Sequence, residues 1–239
     1  MNPKQSSVRF VSRVTLGVGG VVAVLAIAAV VAVSALRAPA ARAGGSGVAC
    51  LPTSGPVCTF KFHAGTAFFE SASSCLTIDV LVFASENFTR SGAGGVTDEP
   101  SLQIQDSGTN SCDGSSFYGS GALFGGDLQV HANTNGDTLI AQGNVPVTNT
   151  YGDGSTATAT YAVTLTWQAA GQPGSPTTQT FHFRSPYFQI EGHFTGTSVP
   201  AVVSGGVSDG ANSYVQTTNP YSPTLLDASS GTYVVISRS

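Results

Sequence analysis

Thr156-Ala-Thr-Ala-Thr-Tyr-Ala-Val-Thr-Leu-Thr-Trp-Gln168 decides the fold class. Ala157, Ala159, Tyr161, Val163, Leu165 and Trp167 alternate with Thr158, Thr160, Ala162, Thr164 and Thr166. Successive side chains of an extended strand point to opposite faces, so the aromatic and aliphatic groups share one face and the threonines the other. Trp167, the only tryptophan, is expected to be buried with Tyr161, Val163 and Leu165.

The same reading extends outward. Leu76 to Ala84 is apolar on both parities apart from Thr77 and Asp79, the pattern of a central strand. Phe60 to Phe69, Leu102 to Gln105, Phe117 to Leu123, Leu128 to Ala132, Leu139 to Val147, Val199 to Val207 and Tyr233 to Ile236 are further strands. Turn clusters separate several of them, at Asn133 to Asp137, Tyr151 to Ser155 and Gly171 to Gly174. No stretch after Leu36 combines helical periodicity with good helix formers, and no repeat of constant period is present. The expectation is an all-β domain, an antiparallel β-sandwich with a β-barrel as the alternative.

The N-terminus reads differently. Lys4, Arg9 and Arg13 precede an uncharged apolar run from Val14 to Leu36, and Ala41-Arg42-Ala43 then meets Gly44. Basic head, apolar middle and small-residue cleavage site make an export signal of bacterial type. The run is longer than a usual signal core, so an uncleaved membrane anchor through residues 14–36 is the alternative. The domains are therefore 1–43, signal or anchor, and 44–239, a single extracellular all-β domain. Gly47-Val-Ala-Cys50 is a weaker lipoprotein-like match, lying far beyond the apolar run.

Five of the nine Lys and Arg precede Gly44, whereas all 13 acids follow it. Four cations against 13 acids leave the exported part at a net charge of −9. Four scattered cations do not neutralise a phosphate backbone, which excludes nucleic acid as the expected partner. An acidic excess suits solubility outside the cell.

The four cysteines, Cys50, Cys58, Cys75 and Cys112, read as two disulfides in an exported chain. Three connectivities exist. Cys50–Cys58, around Pro-Thr-Ser-Gly-Pro, with Cys75–Cys112 is the favoured one. No C-x-x-C pair supports a zinc site.

Phe181-His-Phe-Arg-Ser-Pro-Tyr-Phe-Gln-Ile-Glu-Gly-His-Phe194 reads as two strands about Pro186-Tyr187. Arg184 then faces Gln189, Phe183 faces Ile190, His182 faces Glu191 and Thr180 faces His193. His182, Glu191 and His193 are the weak candidates for a metal site or a His–Glu acid–base pair; the plain alternative is a solvated sheet face. Gly206-Val-Ser208-Asp-Gly210 matches G-x-S-x-G, but no helix follows, so a turn is expected. Asn133, Asn135 and Asp137 have calcium-loop spacing without a closing acid, again favouring a turn. Asn87-Phe-Thr89 is a formal glycosylation acceptor that carries no inference here.

Cys75 through Phe83-Ala-Ser-Glu86, Phe181-His-Phe-Arg-Ser-Pro186, Phe194-x-Gly-Thr-Ser198 with Pro200-Ala201, and Gly205 to Gly210 together resemble an uncharacterised family of exported bacterial all-β proteins. The resemblance covers roughly Phe68 to Gly210. It implies an exported all-β domain and a disulfide at the positions of Cys75 and Cys112, and assigns no catalytic or binding residue.

The sequence therefore points to a secreted or cell-surface module, non-enzymatic, with a binding or structural role toward an extracellular protein or polymer. The alternative is a secreted hydrolase using the His182, Glu191 and His193 cluster. No catalytic residue and no cofactor are assigned.

Overall fold

The computed structural model describes residues 57–92, 96–125, 128–184, 188–217 and 223–237. The expected signal or anchor at 1–43 and Cys50 lie outside them. Eleven strands follow in order: β1 (Val57–Ala72), β2 (Leu76–Ser91), β3 (Val96–Asn110), β4 (Ser116–Phe124), β5 (Gln129–Ala132), β6 (Thr138–Tyr151), β7 (Thr156–Ala169), β8 (Thr177–Arg184), β9 (Phe188–Ser208), β10 (Ser213–Gln216) and β11 (Leu225–Ser237). Every strand expected from the sequence falls on one of these, although Leu128 stands just before β5. All belong to one sheet, and the pairings are antiparallel.

The pairings close on themselves. The circuit runs β1–β2–β3–β4–β6–β7–β9–β11 and back to β1. Closure satisfies the backbone hydrogen bonds that open sheet edges leave free. The short β5 adds to β6, β8 adds to β9, and β10 bridges β1 and β9.

The sequence reading separates Phe188–Phe194 from Val199–Val207, but the structure joins them in one strand, β9. Pro200 explains the join. Its pair with Leu225 is the last between β9 and β11, and Ala201 opposite Ala169 begins the pairing with β7. Proline has no N–H to give, so it is tolerated where a strand changes partners. β10 was not expected. Its Tyr214 is buried and anchored by polar contacts described below, which sequence periodicity cannot register.

The core is built from the alternating apolar positions. Val80, Val82, Leu102, Leu139, Val145 and Val147 are fully buried, and Tyr161, Val163 and Leu165 nearly so. Trp167 is 0% exposed, as its strand pattern required. Its indole reaches across the interior to β1. Nε1 donates to the Thr66 carbonyl at 3.1 Å. Gly65 lies against the ring, where a Cβ would come within 2.6 Å of an indole carbon. Cys75 and Cys112 are joined with Cα atoms 5.3 Å apart, tying the start of β2 to the β3–β4 turn. Cys58 is also disulfide-bonded; the expected partner, Cys50, is outside the described residues.

The Trp167–Gly65 contact yields a direct test. Gly65→Ala forces a methyl group into the indole, and overpacking of this kind costs about 1–3 kcal/mol. Trp167→Ala should cost about 3–5 kcal/mol. Wild-type tryptophan fluorescence should resist acrylamide quenching. Ready quenching in the folded state, or an unchanged unfolding midpoint in Gly65→Ala, would contradict this packing.

Candidate binding face

The buried side of the sheet reverses within β1. Cys58, Phe60, Phe62 and Ala64 are buried on the even parity, whereas Gly65, Ala67 and Phe69 are buried on the odd one. No register break accompanies the change, since β1 and β2 pair continuously from Cys58–Ser91 to Ala72–Thr77. β2 reverses at the matching place, from Ala84 to Ser85. The parity that lines the core near Trp167 therefore continues outward as an open surface across β3, β2, β1, β11, β9 and β8.

Aromatic residues occupy the other side of this half-sheet. Phe60 packs with Phe194 and Tyr233, and Phe194 with Phe181, at ring-centroid separations of 6.1–6.4 Å. Glycines make room for them: a Cβ at Gly192 would meet the Phe181 ring at 2.6 Å. Ring stacking thus commits the even parity of β1 to burial and leaves the odd parity to solvent.

The open face carries Thr59, Lys61, His63, Glu86, Phe88, Arg90, Asp98, Thr180, His182, Arg184, Glu191, His193 and Thr232. Among the described residues, the Lys and Arg side chains are Lys61, Arg90 and Arg184, and all three stand on this face. Three of the four histidines do too, and the fourth, His131, sits at its rim.

On the β8–β9 side the expected register is present: Arg184 opposite Gln189, Phe183 opposite Ile190, His182 opposite Glu191, and Thr180 opposite His193. His182 Nδ1 lies 3.0 Å from Glu191 Oε1. Arg184 Nε donates to His182 Nε2 at 2.8 Å, and the Gln189 amide donates to Glu191. Both ring nitrogens of His182 are thus engaged. His193 lies instead near the Thr232 hydroxyl, at 3.4 Å from Nε2. The three candidates share a face, but their ligand atoms do not converge. The His182–Glu191 pair is about half exposed, and such pairs contribute about 0.2–1 kcal/mol.

A second group, not anticipated from the sequence, stands at the β2–β3–β5 side. Glu86 Oε2 accepts from the Ala132 N–H at 2.8 Å, and Oε1 lies 3.3 Å from His131 Nδ1. Asp98 completes a cluster whose ligand atoms all lie within 4.8 Å of one another. Burial raises the Asp98 pKa above the ordinary carboxylate value, and neighbouring Glu86 raises it further. His63, directly opposite Glu86, has its pKa lowered by burial against the opposing pull of Glu86. Glu86 and Asp98 stand on the directly paired strands β2 and β3, and His131 reaches them from β5, 45 residues beyond Glu86.

The interior beyond Trp167 ends in a polar network. Tyr161 donates to Asp106 Oδ2 at 2.5 Å, its hydroxyl lies 3.5 Å from that of Tyr214, and Tyr214 donates to Asp209 at 2.8 Å. The Asn149 amide nitrogen, oriented to satisfy its bonds, donates to Asp106 Oδ1 at 3.1 Å. Gly119 is obligatory here, because a Cβ would lie 2.3 Å from Asp106 Oδ1. Burial raises Asp106, and it raises Tyr214 to about 12. Alternation rules assign such positions to the core but do not reveal a polar occupant.

The remaining motifs resolve as turns. Ser208 ends β9, and Asp209 then accepts from the backbone N–H groups of Ala211 and Asn212 before β10. The Asn133 side-chain oxygen accepts from the N–H groups of Asp137 and Thr138, closing the β5–β6 hairpin.

A scan against protein-family models and searches of curated proteins and of solved structures find no match.

Asp106 provides a pH test. Its raised folded pKa means that ionisation destabilises the fold. The cost is complete above the folded pKa and absent below the unfolded one, so stability falls as pH rises through that window. Asp106→Asn keeps an acceptor for Tyr161 and does not ionise. Urea midpoints between about pH 3 and about pH 7 should therefore slope downward less in the variant. Parallel curves would remove Asp106 from the pH dependence.

Proposed function

We propose that this protein is an exported, cell-surface or secreted β-barrel module, and that it binds an extracellular polymer through the open face rather than performing catalysis. The segments resembling exported bacterial proteins and the signal-like N-terminus support the location. The Cys75–Cys112 disulfide is compatible with an oxidising compartment. The closed circuit of pairings favours a barrel over the sandwich.

The observation that carries the binding reading is the gathering of cations on a face that also carries Glu86, Asp98 and Glu191. The exported part has 13 acids and four Lys or Arg, yet Lys61, Arg90 and Arg184 all stand on one sheet face. Around them Thr59, Thr178, Thr180, Thr195, Ser230 and Thr232 present hydroxyls in rows. Sheet geometry repeats those groups about every 4.8 Å across strands and about every 6.8 Å along them. Such a lattice of donors, with exposed Phe88 beside it, suits a hydroxyl-rich or acidic polysaccharide. The hydrolase alternative gains nothing from the geometry: His182 is engaged at both nitrogens, and His193 is turned to Thr232.

A screen of purified protein against cell-wall polymers and acidic glycans tests the reading. A ligand on this face should bind at least five-fold more weakly to Lys61→Gln/Arg90→Gln, with binding reduced by salt. A ligand indifferent to both changes lies elsewhere. Turnover of a polymer that is lost in Glu191→Gln would favour the hydrolase.

A further inference from the structure

We propose that Glu86, Asp98 and His131 form a binding site for a divalent first-row transition metal of the zinc class, at the rim of the open face. The donors come from β2, β3 and β5, and their ligand atoms lie within 4.8 Å of one another. No other group of three His, Cys, Asp or Glu among the described residues meets that condition.

The Glu86–His131 spacing is that of two ligands sharing an ion, with Asp98 within 4.8 Å to complete the set. Tetrahedral bonds of about 2.0–2.1 Å place neighbouring ligand atoms about 3.3–3.4 Å apart. His131 Nδ1 and Glu86 Oε1 are separated by 3.3 Å. A direct charge-assisted hydrogen bond is shorter, about 2.7–2.9 Å.

The support around the donors is unequal, as a loading site requires. Glu86 is the fixed member: its side chain is 14% exposed, and Oε2 is held by the Ala132 N–H. That bond leaves Oε1 directed toward His131 and orients the carboxylate before an ion arrives. His131, at 67% exposure, and exposed Asp98 are free to close on it.

The charges agree. Asp98 faces Phe88, one same-face step along β2 from Glu86, so two carboxylates crowd one corner and a dication relieves their repulsion. The donor types set the metal class. An imidazole with two carboxylates suits zinc and its first-row neighbours, whereas calcium and magnesium favour oxygen ligands throughout. Three protein ligands leave a fourth position open toward the face.

Equilibrium dialysis of the purified protein against zinc chloride, with elemental analysis, is the test. The expected result is one zinc per chain. Affinity should fall at least tenfold in Asp98→Asn and in His131→Ala, and remain unchanged in His182→Ala. All three changed residues are exposed, so the far-ultraviolet circular dichroism of these variants should match wild type. Equal affinity in wild type and both variants, loss of zinc in His182→Ala instead, or displacement of zinc by equimolar calcium would each overturn the site. Polymer binding is read in a separate assay, so failure of one reading leaves the other standing.

Discussion

The indole of Trp167 lying on Gly65 sets the division on which the rest of the molecule depends. On one side of that contact the odd parity of β1 faces a closed apolar interior. On the other side the same parity opens toward solvent, through half-buried His63 to exposed Lys61. A side chain at position 65 would displace the ring, and an unsatisfied indole N–H would be costly in a dry core. The Thr66 carbonyl answers that N–H directly. Trp167 is thus both the largest fully buried side chain and the boundary between core and open face.

The two ends of the interior are treated oppositely. At the far end Asp106, Asn149, Tyr161 and Tyr214 make a buried polar network held by mutual hydrogen bonds. Buried polar groups cost stability unless paired, but a satisfied network admits few alternative packings. At the near end the sheet is covered on its other side by the Phe60, Phe194, Tyr233 and Phe181 stack. Aromatic burial on that side exposes the opposite parity, because alternation along a strand leaves no third option.

The chemistry of the face follows from that exposure. A residue on it is excluded from both cores, so cations, histidines and threonines accumulate there, with burial felt at His63 and Asp98. The register then decides which of them meet. β8 and β9 are adjacent in sequence, and their pairing brings His182 to Glu191. β2 and β3 pair directly, whereas the β5–β6 hairpin carries His131 to them across a long sequence separation, and this meeting assembles Glu86 with Asp98 and His131.

Local alternation determined a great deal by itself. The period of two in Thr156–Gln168 specified a strand with Trp167 inside, and the matched characters of Phe183 with Ile190 and His182 with Glu191 specified a register between neighbouring segments. These are short-range properties, legible because each strand needs one consistent face. The favoured connectivity and the resemblance both pair Cys75 with Cys112, and the sheet brings them together at one end of β2 and β3. The tertiary structure alone decided the closed circuit, the partner change at Pro200, the parity reversal at Gly65 and the Glu86 cluster. Each depends on which strand lies beside which across long sequence separations. A side-chain pattern records whether a residue is to be buried, but not which distant surface will bury it.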